Sequence, residues 1–425
     1  MTMIDWAGRP AQSHRHSHDE GIAMIHVYSE IGKLKTVMVH RPGNELKQIH
    51  PSMLEEMLFE DTPFLPSAQE EHDILTGILR NAGVQVLEMR DLFTDAMRDP
   101  WSRTSFTREF VEASNLPSEG LADSVHSHYE SLDLDGFVET VYCGIRGSNP
   151  AISDVTTLAG LVSKQDLFMV KPLTNTHFTR DSSINVADSY ILSRMRMEAR
   201  RREPIMMRYV TQHAPAYKGK IVENLYDPKH PYVLEGGNFM ILNRESICIG
   251  CSQRTEPQAI EILSEELFKR GFRAVYVFDL EKNRQNMYLD DMLSMVDHET
   301  FIYNPLLSGN VPVYRLTYDS YEESHAEFVS NDWREALCEA LGTNAVNLIP
   351  CGGDDPIASA WETWNMGSNV LAIAPGEVVG FLRAEVTLDL LERAGIKVHA
   401  FAAPELSRGR GGCRCMCLPI DREDA

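Results

Sequence analysis

The segment Leu390-Leu-Glu-Arg-Ala-Gly-Ile-Lys-Val-His-Ala-Phe401 joins a helical pattern to a strand pattern across a single glycine. Gly395 offers the left-handed conformation that ends a helix, and the apolar run after it is typical of a buried strand. The same order occurs in Ile78–Glu88, Leu267–Val277 and Leu337–Pro350. Four such units predict an α/β fold built from repeated modules, although an ordinary open α/β sheet would give the same pattern.

Residues 90–148 show instead the spacing of short amphipathic helices, with little strand character. No low-complexity linker separates them from their neighbours, so we expect a helical insertion at about 90–148 that is docked on the α/β body. Residues 1–24 are predicted to precede the fold; of these, Met1–Glu20 is polar, with His14, His16 and His18 in alternation. A metal site is one interpretation of that alternation, but we favour a disordered leader ahead of one domain over 25–425.

The composition excludes several classes of protein. The 425 residues are 43% hydrophobic and 24% charged, which is not the composition of a disordered chain. No apolar stretch reaches the ~18 residues that a spanning helix needs, so we expect no membrane association. A formal net charge of −22 disfavours nucleic acid as a partner. Eight cysteines and a polar N-terminus without an apolar signal core predict a reduced, cytoplasmic protein.

The C-terminal segment Glu405–Pro419 combines glycines, arginines and three cysteines. We predict that Cys415 is a nucleophile, since nearby positive charge would lower the pKa of its thiol. The flanking arginines are Arg408, Arg410 and Arg414. Two alternatives stay open at this point. Cys413 and Cys417 could form a metal site with Cys415, although alternate spacing suits a tetrahedral ion poorly, or all three could be structural cysteines on one face of a strand.

Three carboxylates are candidates for the chemistry of a site. Asp181 follows Phe178 at a strand-to-loop change, and Glu235 lies beside two glycines within an apolar strand predicted over 232–242. Tyr288 and Asp290 would share a side if their segment were extended. A buried carboxylate needs a cationic partner, which is either a protein arginine or a cationic substrate. Several carboxylates that converge on a thiolate would suit a planar guanidinium with its five donors.

These motifs, in this order, resemble the arginine deiminase family of the guanidine-modifying superfamily. The similar segments, which extend over nearly the whole chain, are Val27–Lys35, His40–Leu46, Leu58–Asp61, Gln69–Asp73, Arg200–Glu203, Trp364–Asn369, Leu371–Gly376, Glu405–Gly412 and Cys415–Pro419. The resemblance implies the pentein fold, an α/β propeller of five modules about a pseudo-fivefold axis, with a helical insertion after the first module. That implication agrees with the repeated units and with the helical stretch described above.

The resemblance also implies a reaction. In the family, a cysteine attacks the guanidinium carbon and expels ammonia, and water hydrolyses the covalent amidino-thioether to citrulline. By resemblance Cys415 is that nucleophile, Asp181 and Asp290 bracket the guanidinium nitrogens, and Glu235 joins them. The residues expected to hold the amino-acid end of the substrate are Asn175, Phe178, Arg200, Arg254 and Arg410. The implied partner is a small arginine-like guanidino substrate, with no cofactor and no metal, and a homo-oligomer is expected.

Four residues near this site depart from the family pattern. Tyr288 occupies the position of the histidine in His-Leu-Asp, the group that protonates leaving ammonia and then activates water. A phenol with a pKa near ~10 is a poor base at neutral pH, whereas an imidazole can act both as acid and as base. Asn238 replaces an acidic residue, and Ser182 and Cys413 replace prolines.

The departures leave three hypotheses beside ordinary hydrolysis to citrulline. An amine could intercept the covalent adduct, which would give amidino transfer or cyclisation. Tyr288 could mark a regulatory protein that binds arginine without turnover. His177 could supply the missing imidazole, although in an extended segment it would point away from Phe178 and from the substrate. Because Cys415 and its carboxylates are present together, we predict an arginine deiminase-like hydrolase of carbon–nitrogen bonds.

Overall fold

A computed structural model of the protein describes residues 24–152, 157–220, 222–284, 286–308, 310–318 and 324–425. The strands are β1 Leu34–Val39, β2 Gln85–Glu88, β3 Ile145–Arg146, β4 Phe168–Val170, β5 Ser183–Val186, β6 Ser189–Leu192, β7 Phe239–Ile241, β8 Ser246–Cys251, β9 Ala274–Asp279, β10 Leu293–Asp297, β11 Thr300–Tyr303, β12 Val313–Tyr318, β13 Ser324–Ser330, β14 Asn347–Pro350, β15 Leu371–Ala374, β16 Glu377–Phe381, β17 Lys397–Phe401 and β18 Leu418–Arg422. The helices are α1 Leu54–Met57, α2 Leu65–Asn81, α3 Met89–Ala96, α4 Pro100–Glu112, α5 Glu119–Ser131, α6 Leu134–Cys143, α7 Leu158–Ser163, α8 Thr179–Ser182, α9 Glu203–His213, α10 Pro257–Lys269, α11 Trp333–Leu341, α12 Pro356–Trp364 and α13 Glu385–Arg393. Of the predicted leader over residues 1–24, all but Met24 lies outside the described residues.

The four helix–glycine–strand units are confirmed. In each unit a helix ends near a glycine with positive φ, and a strand begins two to five residues later. The helix–strand pairs are α2 and β2, α10 and β9, α11 and β14, and α13 and β17. The φ values are 83° at Gly83, 93° at Gly271, 68° at Gly342 and 86° at Gly395. Glycine adopts this conformation without the steric penalty that a Cβ atom brings, which explains why the helices end there.

Each unit belongs to a small mixed sheet with one antiparallel and one parallel pairing. The strand orders are β18-β1-β2, β7-β8-β9, β10-β11-β14 and β15-β16-β17, the second within a sheet extended by β12 and β13. In each, the strand that follows the helix pairs parallel with the central strand. The hairpin of β5 and β6 is followed by α9 and by a parallel bridge between Tyr190 and Asn224. Separate mixed sheets replace the single open sheet that was the alternative.

The segment at 90–148 is helical, as its periodicity predicts, and holds α3 to α6. Aromatic side chains of these helices, such as Phe93, Phe106 and Phe137, are fully buried in a core that continues into the strands β5 to β9. None of the helices in the described part of the chain combines the length and the apolar character that a bilayer crossing needs.

Pairing of the last strand with the first brings the C-terminal cysteines into the centre of the molecule. Strand β18 is antiparallel to β1, and Arg180 donates its backbone N–H to the carbonyl of Cys415 at 3.1 Å. The loop before β18 therefore lies against the short helix α8, which carries Asp181. Residues 413–416 form a turn, so the hypothesis that the three cysteines share one face of a strand is wrong.

Two further local predictions are corrected. Glu235 does not lie within a strand: residues Gly236–Asn238 form a 3-10 turn, and β7 begins only at Phe239. A Cβ on Gly237 would lie 2.7 Å from Cγ of Tyr288, so the close approach of that ring needs the glycine. The segment after Tyr288 is also not extended, because Leu289–Asp291 forms a second 3-10 turn.

Candidate active site

A small pocket lies where these turns meet α8 and the loop before β18. Its lining residues are Leu58, Asn175, Phe178, Asp181, Arg200, Arg254, Arg284, Met287, Tyr288, Gly409, Arg410, Gly411 and Cys415. Eight of the ten predicted site residues are among them. The other two, Glu235 and Asp290, are fully buried and contact lining residues. The structure therefore brings all ten residues together at one place.

The thiol of Cys415 lies beside a carboxylate rather than beside a free arginine. Its Sγ is 3.7 Å from Oδ2 of Asp290, and its backbone N–H donates to Oδ1 of Asn369 at 3.3 Å. Burial and the charge of Asp290 raise the pKa of the Cys415 thiol well above its usual value. The expectation that flanking arginines would lower this pKa is wrong for the free protein: burial and nearby carboxylates raise it, and carboxylates already pair with Arg408 and Arg414.

The pairing of those arginines explains the correction. Arg414 donates to Oδ2 of Asp290 at 2.7 Å and to both oxygens of Glu30 at 2.8 and 3.1 Å. Arg408 forms ion pairs with Asp61 and Glu405. The pairs of Arg414 are buried and those of Arg408 are partly exposed, and both sets reduce the positive charge available to the thiol.

Asp181 is held by a second buried network. Arg200 donates to Oδ2 of Asp181 at 2.6 Å, and its other nitrogens bond to Glu203 at 2.9 to 3.1 Å. Burial nevertheless raises the pKa of Asp181 to about 7. The positive charge of Arg200 acts against this rise, while the charges of Asp290 and Glu235 add to it. A further cation in the pocket would lower the free energy of the ionised form.

One oxygen of each of these carboxylates has no hydrogen-bond partner. Oδ1 of Asp181 and Oδ1 of Asp290 are buried and unpaired, while Oδ2 of each accepts from an arginine. A buried carboxylate oxygen without a donor is costly. Two such oxygens around one thiol fit a ligand that carries several N–H donors and a positive charge, which describes a guanidinium.

Tyr288 and Glu235 form a buried pair. The phenol of Tyr288 donates a hydrogen bond to Oε2 of Glu235, and Arg254 approaches the same oxygen to 3.3 Å. The backbone N–H of Arg196 donates to Oε1 at 2.6 Å. Burial, together with Asp181 and Glu235, raises the pKa of the Tyr288 phenol well above its usual value. The phenol therefore stays protonated, and both oxygens of Glu235 are occupied.

Asn238 is fully buried and connects three segments. Its Nδ2 donates to Oγ of Ser252 at 3.1 Å and to Oγ1 of Thr255 at 3.0 Å, and its Oδ1 accepts from the N–H of Leu289 at 2.9 Å. The two hydroxyls donate in turn to backbone carbonyls. The position thus requires both a donor and an acceptor, which an amide supplies and an ionised carboxylate does not.

Phe178 fixes the glycines of the C-terminal loop. A Cβ on Gly409 would lie 2.8 Å from Cε2 of Phe178, and one on Gly411 would overlap the same ring. The side chain of Asn175 donates to the carbonyl of Met57 at 2.9 Å, so it joins the loop before α8 to the end of helix α1. The glycines therefore allow the loop to approach an aromatic ring in the pocket wall.

His177 is buried and does not line the pocket. Its ring packs on Phe178 with centroids 3.9 Å apart, and burial lowers its pKa well below the usual value, helped by the positive charges of His40 and Arg200. This arrangement disfavours the hypothesis that His177 replaces the missing imidazole.

Two further arginines, Arg410 and Arg284, line the pocket. The guanidinium of Arg410 stacks on Trp364 at 3.7 Å, and its Nε is buried without a partner. Arg410 has a φ of 58°, an uncommon value for a residue with a Cβ atom. Arg284, which was not predicted from the sequence, also lines the pocket and pairs with Glu60 at 2.6 Å. An arginine in a polar loop gives no sequence signal by itself.

Among the described residues, one group of side chains is compact enough to hold a metal ion, namely Asp290, Asp291 and Cys415. Asp290 is already neutralised by Arg414, which would oppose a cation there. Cys413 and Cys417 are buried in an apolar cluster and join no such group in the described part of the chain. The absence of a metal thus stays a prediction.

The fold and the site define a protein of mixed α/β architecture with a buried thiol among carboxylates. The family model described as arginine deiminase matches residues 55–422. An arginine deiminase from Streptococcus pyogenes is 38% identical over 405 residues, which cover 94% of this chain and 98% of the relative. One from Streptococcus uberis is 39% identical with the same coverage. The chain belongs to the arginine deiminase family, and the resemblance stated above is confirmed.

Solved structures with little sequence identity share the fold. An amidinotransferase from Microseira wollei in the saxitoxin biosynthetic pathway has a TM-score of 0.54 and 14% identity, with 94% of this chain and 98% of that chain covered. The N-terminal domain of an arginine dihydrolase from the ornithine–ammonia cycle in cyanobacteria has a TM-score of 0.50 and 11% identity, with coverage of 91% and 97%. The mixed α/β fold is therefore that of the pentein proteins.

Proposed function

We propose that the protein hydrolyses the guanidino group of L-arginine, or of a close analogue, to citrulline and ammonia through a covalent intermediate on Cys415. The observation that carries the proposal is the pair of unpaired oxygens, Oδ1 of Asp181 and Oδ1 of Asp290, on two buried carboxylates beside the thiol. Membership of the arginine deiminase family supports the same reaction.

The reaction balances without a cofactor. Sγ of Cys415 bonds to the guanidinium carbon, one carbon–nitrogen bond breaks, and the thiol proton ends on the departing ammonia. Water then bonds to the same carbon and the carbon–sulfur bond breaks. One proton of that water returns to Sγ, and the other is released as the amidinium becomes the neutral ureido group of citrulline.

The substrate itself activates the thiol in this scheme. Burial and three carboxylates keep the pKa of Cys415 high in the free protein. A guanidinium between Asp181 and Asp290 adds a positive charge beside Sγ and satisfies both unpaired oxygens, so it favours the thiolate. Catalytic thiolate therefore forms mainly when substrate is bound, which limits side reactions of the free cysteine.

Roles for the remaining residues follow from their contacts. Arg200 and Glu235 are positioning residues, since Arg200 holds Asp181 and Glu235 holds Tyr288. Arg410 has an unpaired Nε and with Arg254 is suited to the α-carboxylate of the substrate, while Asn175 and Phe178 shape the wall. Tyr288 closes the pocket as a neutral donor.

We extend the proposal to the architecture. The four mixed sheets and the hairpin of β5 and β6 with α9 are five similar units, which supports a propeller with pseudo-fivefold symmetry over residues 25–425 and a helical insertion at about 90–148. We propose a homo-oligomer that acts in the cytoplasm on a small guanidino substrate. Light scattering of the purified protein tests the oligomeric state, and the mass of a single subunit would contradict the proposed homo-oligomer.

The function is tested by incubating the purified protein with arginine and measuring citrulline and ammonia. We expect equimolar products from the wild type and none from Cys415→Ala, which removes the nucleophile but leaves the charges of the pocket. Cys338→Ala, at a half-buried cysteine on α11, is the matched control and should keep wild-type turnover. A wild type without citrulline, or a Cys415→Ala variant that retains it, would contradict the proposal.

A further inference from the structure

One carboxyl group beside Cys415 has no role in the scheme above. Asp291 ends the 3-10 turn Leu289–Asp291, directly after Asp290. Its side-chain oxygen, Sγ of Cys415 and a carboxylate oxygen of Asp290 all lie within 4.8 Å of one another. Oδ1 of Asp291 is buried and has no hydrogen-bond partner. Asp291 is thus near the reacting sulfur and is not engaged in a structural pair.

The reaction needs a group that transfers protons, and the other titratable groups at the site are not suited to this task. The leaving nitrogen must gain a proton and the attacking water must lose one. The hydroxyl of Tyr288 donates a hydrogen bond to Glu235, and its raised pKa makes it too weak an acid to exchange the proton near neutral pH. His177 packs on Phe178, and burial lowers its pKa well below the usual value, so it is a poor proton acceptor. Asp181 and Asp290 are bound to the permanently charged Arg200 and Arg414, and in the proposed function both hold the substrate guanidinium.

We propose that Asp291 is the general acid and base of the reaction, in place of the imidazole that Tyr288 replaces. The proposal rests on the proposed function, because it assigns the proton transfers of that reaction. The carbon of the covalent adduct is one bond away from Sγ. A carboxyl oxygen within 4.8 Å of Sγ is therefore within reach of the leaving nitrogen or of a water at that carbon, directly or through one water.

The proton balance closes with one carboxyl group. In the first step, ionised Asp291 takes the thiol proton of Cys415 and gives it to the departing nitrogen, so the thiol proton ends on ammonia and Asp291 is ionised again. In the second step, ionised Asp291 takes a proton from the attacking water and passes it to Sγ as the carbon–sulfur bond breaks. The second water proton leaves from the former amidinium, and Asp291 returns to its initial state.

The surroundings suit that double role. Burial and the charge of Asp290 raise the pKa of Asp291 well above its usual value, with a smaller contribution from Asp181, while the positive charges of Arg410 and Arg254 oppose the rise. A carboxyl with a raised pKa can be both donor and acceptor near neutral pH, as an imidazole can. The thiol of Cys415 faces the same group and is neutral in the free protein.

The test is Asp291→Asn, which keeps the shape of the side chain but cannot carry a proton. We expect kcat for citrulline formation to fall ~10²–10⁴-fold, with KM for arginine changed only a few-fold. Asp297→Asn, at the far end of β10, is the matched control and should keep the wild-type kcat. If Asp291→Asn does not fold, Asp291→Glu replaces it, and its kcat should fall at least tenfold because the carboxyl is displaced.

The pH profile separates a proton carrier from a structural residue. Wild-type kcat should decline on the acid side with a midpoint above the ordinary value of ~3.9 for aspartate, and this limb should be absent in Asp291→Asn. Tyr288→His should restore at least tenfold of the lost rate in that variant. Citrulline formation by the wild type together with unchanged kcat and pH profile in the Asp291 variant would overturn the proposal alone. A wild type that makes neither adduct nor citrulline would overturn the proposed function, and this proposal with it.

Discussion

The phenol of Tyr288 donates a hydrogen bond to Oε2 of Glu235, and both groups are buried. The other oxygen of Glu235 accepts from the backbone of Arg196 at 2.6 Å. Donors of the protein itself therefore hold both oxygens of Glu235, and Glu235 supports the phenol of Tyr288. In the proposed mechanism the phenol is a fixed donor that shapes the pocket, and another group transfers the protons.

Replacement of Tyr288 tests whether this residue shapes the pocket without transferring protons. Tyr288→His places an imidazole beside Glu235 and should raise citrulline formation at neutral pH, because imidazole is a base in this range. Tyr288→Phe is the matched control: it removes the hydroxyl alone, should keep kcat within about tenfold, and should lower stability by about 1–3 kcal/mol through the lost buried bond. The readouts are steady-state citrulline formation and denaturant unfolding. A Tyr288→Phe variant with the activity of Cys415→Ala would show that the phenol is essential.

Asn238→Asp should not restore activity, although it recreates the acidic residue of the family pattern. The amide donates to Ser252 and Thr255, whose hydroxyl protons already bond to carbonyls. A carboxylate there would face oxygen lone pairs without solvent, so we expect a loss of about 1–3 kcal/mol in the free energy of unfolding. Chemical denaturation measures the loss. An Asn238→Asp variant that is as stable as the wild type and more active would contradict this account.

The three C-terminal cysteines should differ in function. Cys415→Ser should abolish arginine-dependent chemistry, because a hydroxyl is a far weaker nucleophile than a thiolate. Cys413→Ser and Cys417→Ser should retain most of the turnover and lose about 1–3 kcal/mol of stability, since both side chains are buried among apolar groups. Equal loss of turnover in all three variants, accompanied by bound zinc in the wild type, would instead favour a metal site.

Arg410 should determine recognition of the amino-acid end of the substrate. Arg410→Gln should raise KM for arginine by about 10- to 100-fold, equivalent to about 1.4–2.8 kcal/mol, because the α-carboxylate loses a partner. Agmatine lacks that carboxylate, so its kinetics should not change. Arg200→Gln is the contrasting variant. It leaves Asp181 and Glu203 without their arginine partner, so it should lower the stability of the protein and reduce turnover of both substrates alike. An equal effect of Arg410→Gln on both substrates would assign that residue to structure.

His40 should make stability fall at alkaline pH. Burial acts against its charge, but hydrogen bonds to Glu45 and Glu88 raise its pKa from 6.5 to about 9. A raised pKa in the folded state means that this stabilisation is fully present below pH 6.5 and is lost as the pH rises through about 9. Unfolding free energies measured from pH 6 to 10 should show a shallower decline in His40→Gln than in the wild type. His298→Gln, at an exposed histidine, should leave the slope unchanged, and a wild-type slope in His40→Gln would refute the assignment.

Local sequence patterns predicted the helices and strands, whereas the ion pairs and the protonation of the site depend on contacts between residues far apart in sequence. Gly395 and its three counterparts could be recognised because a helix end and the following strand lie within about a dozen residues. The ion pair of Arg414 with Glu30 could not be recognised from the sequence, because 384 residues separate the two partners. The thiol pKa was mispredicted for the same reason, since nearby arginines in sequence were visible and the carboxylates that neutralise them were not. Asp291 was overlooked because a second aspartate in Asp-Asp has no distinguishing pattern.

The mass of the protein after rapid acid quenching with excess arginine tests the central claim most directly. A covalent intermediate of hydrolysis adds to Cys415 the mass of arginine minus that of ammonia, because the ornithine part stays attached until water attacks. We expect that increment in the wild type during turnover, with citrulline as the product, and no increment in Cys415→Ser. An increment equal to the amidino group alone would mean that ornithine leaves first and that the enzyme transfers amidino groups. Citrulline formation without any adduct at any quench time, in the wild type or in Asp291→Asn, would contradict covalent catalysis by Cys415.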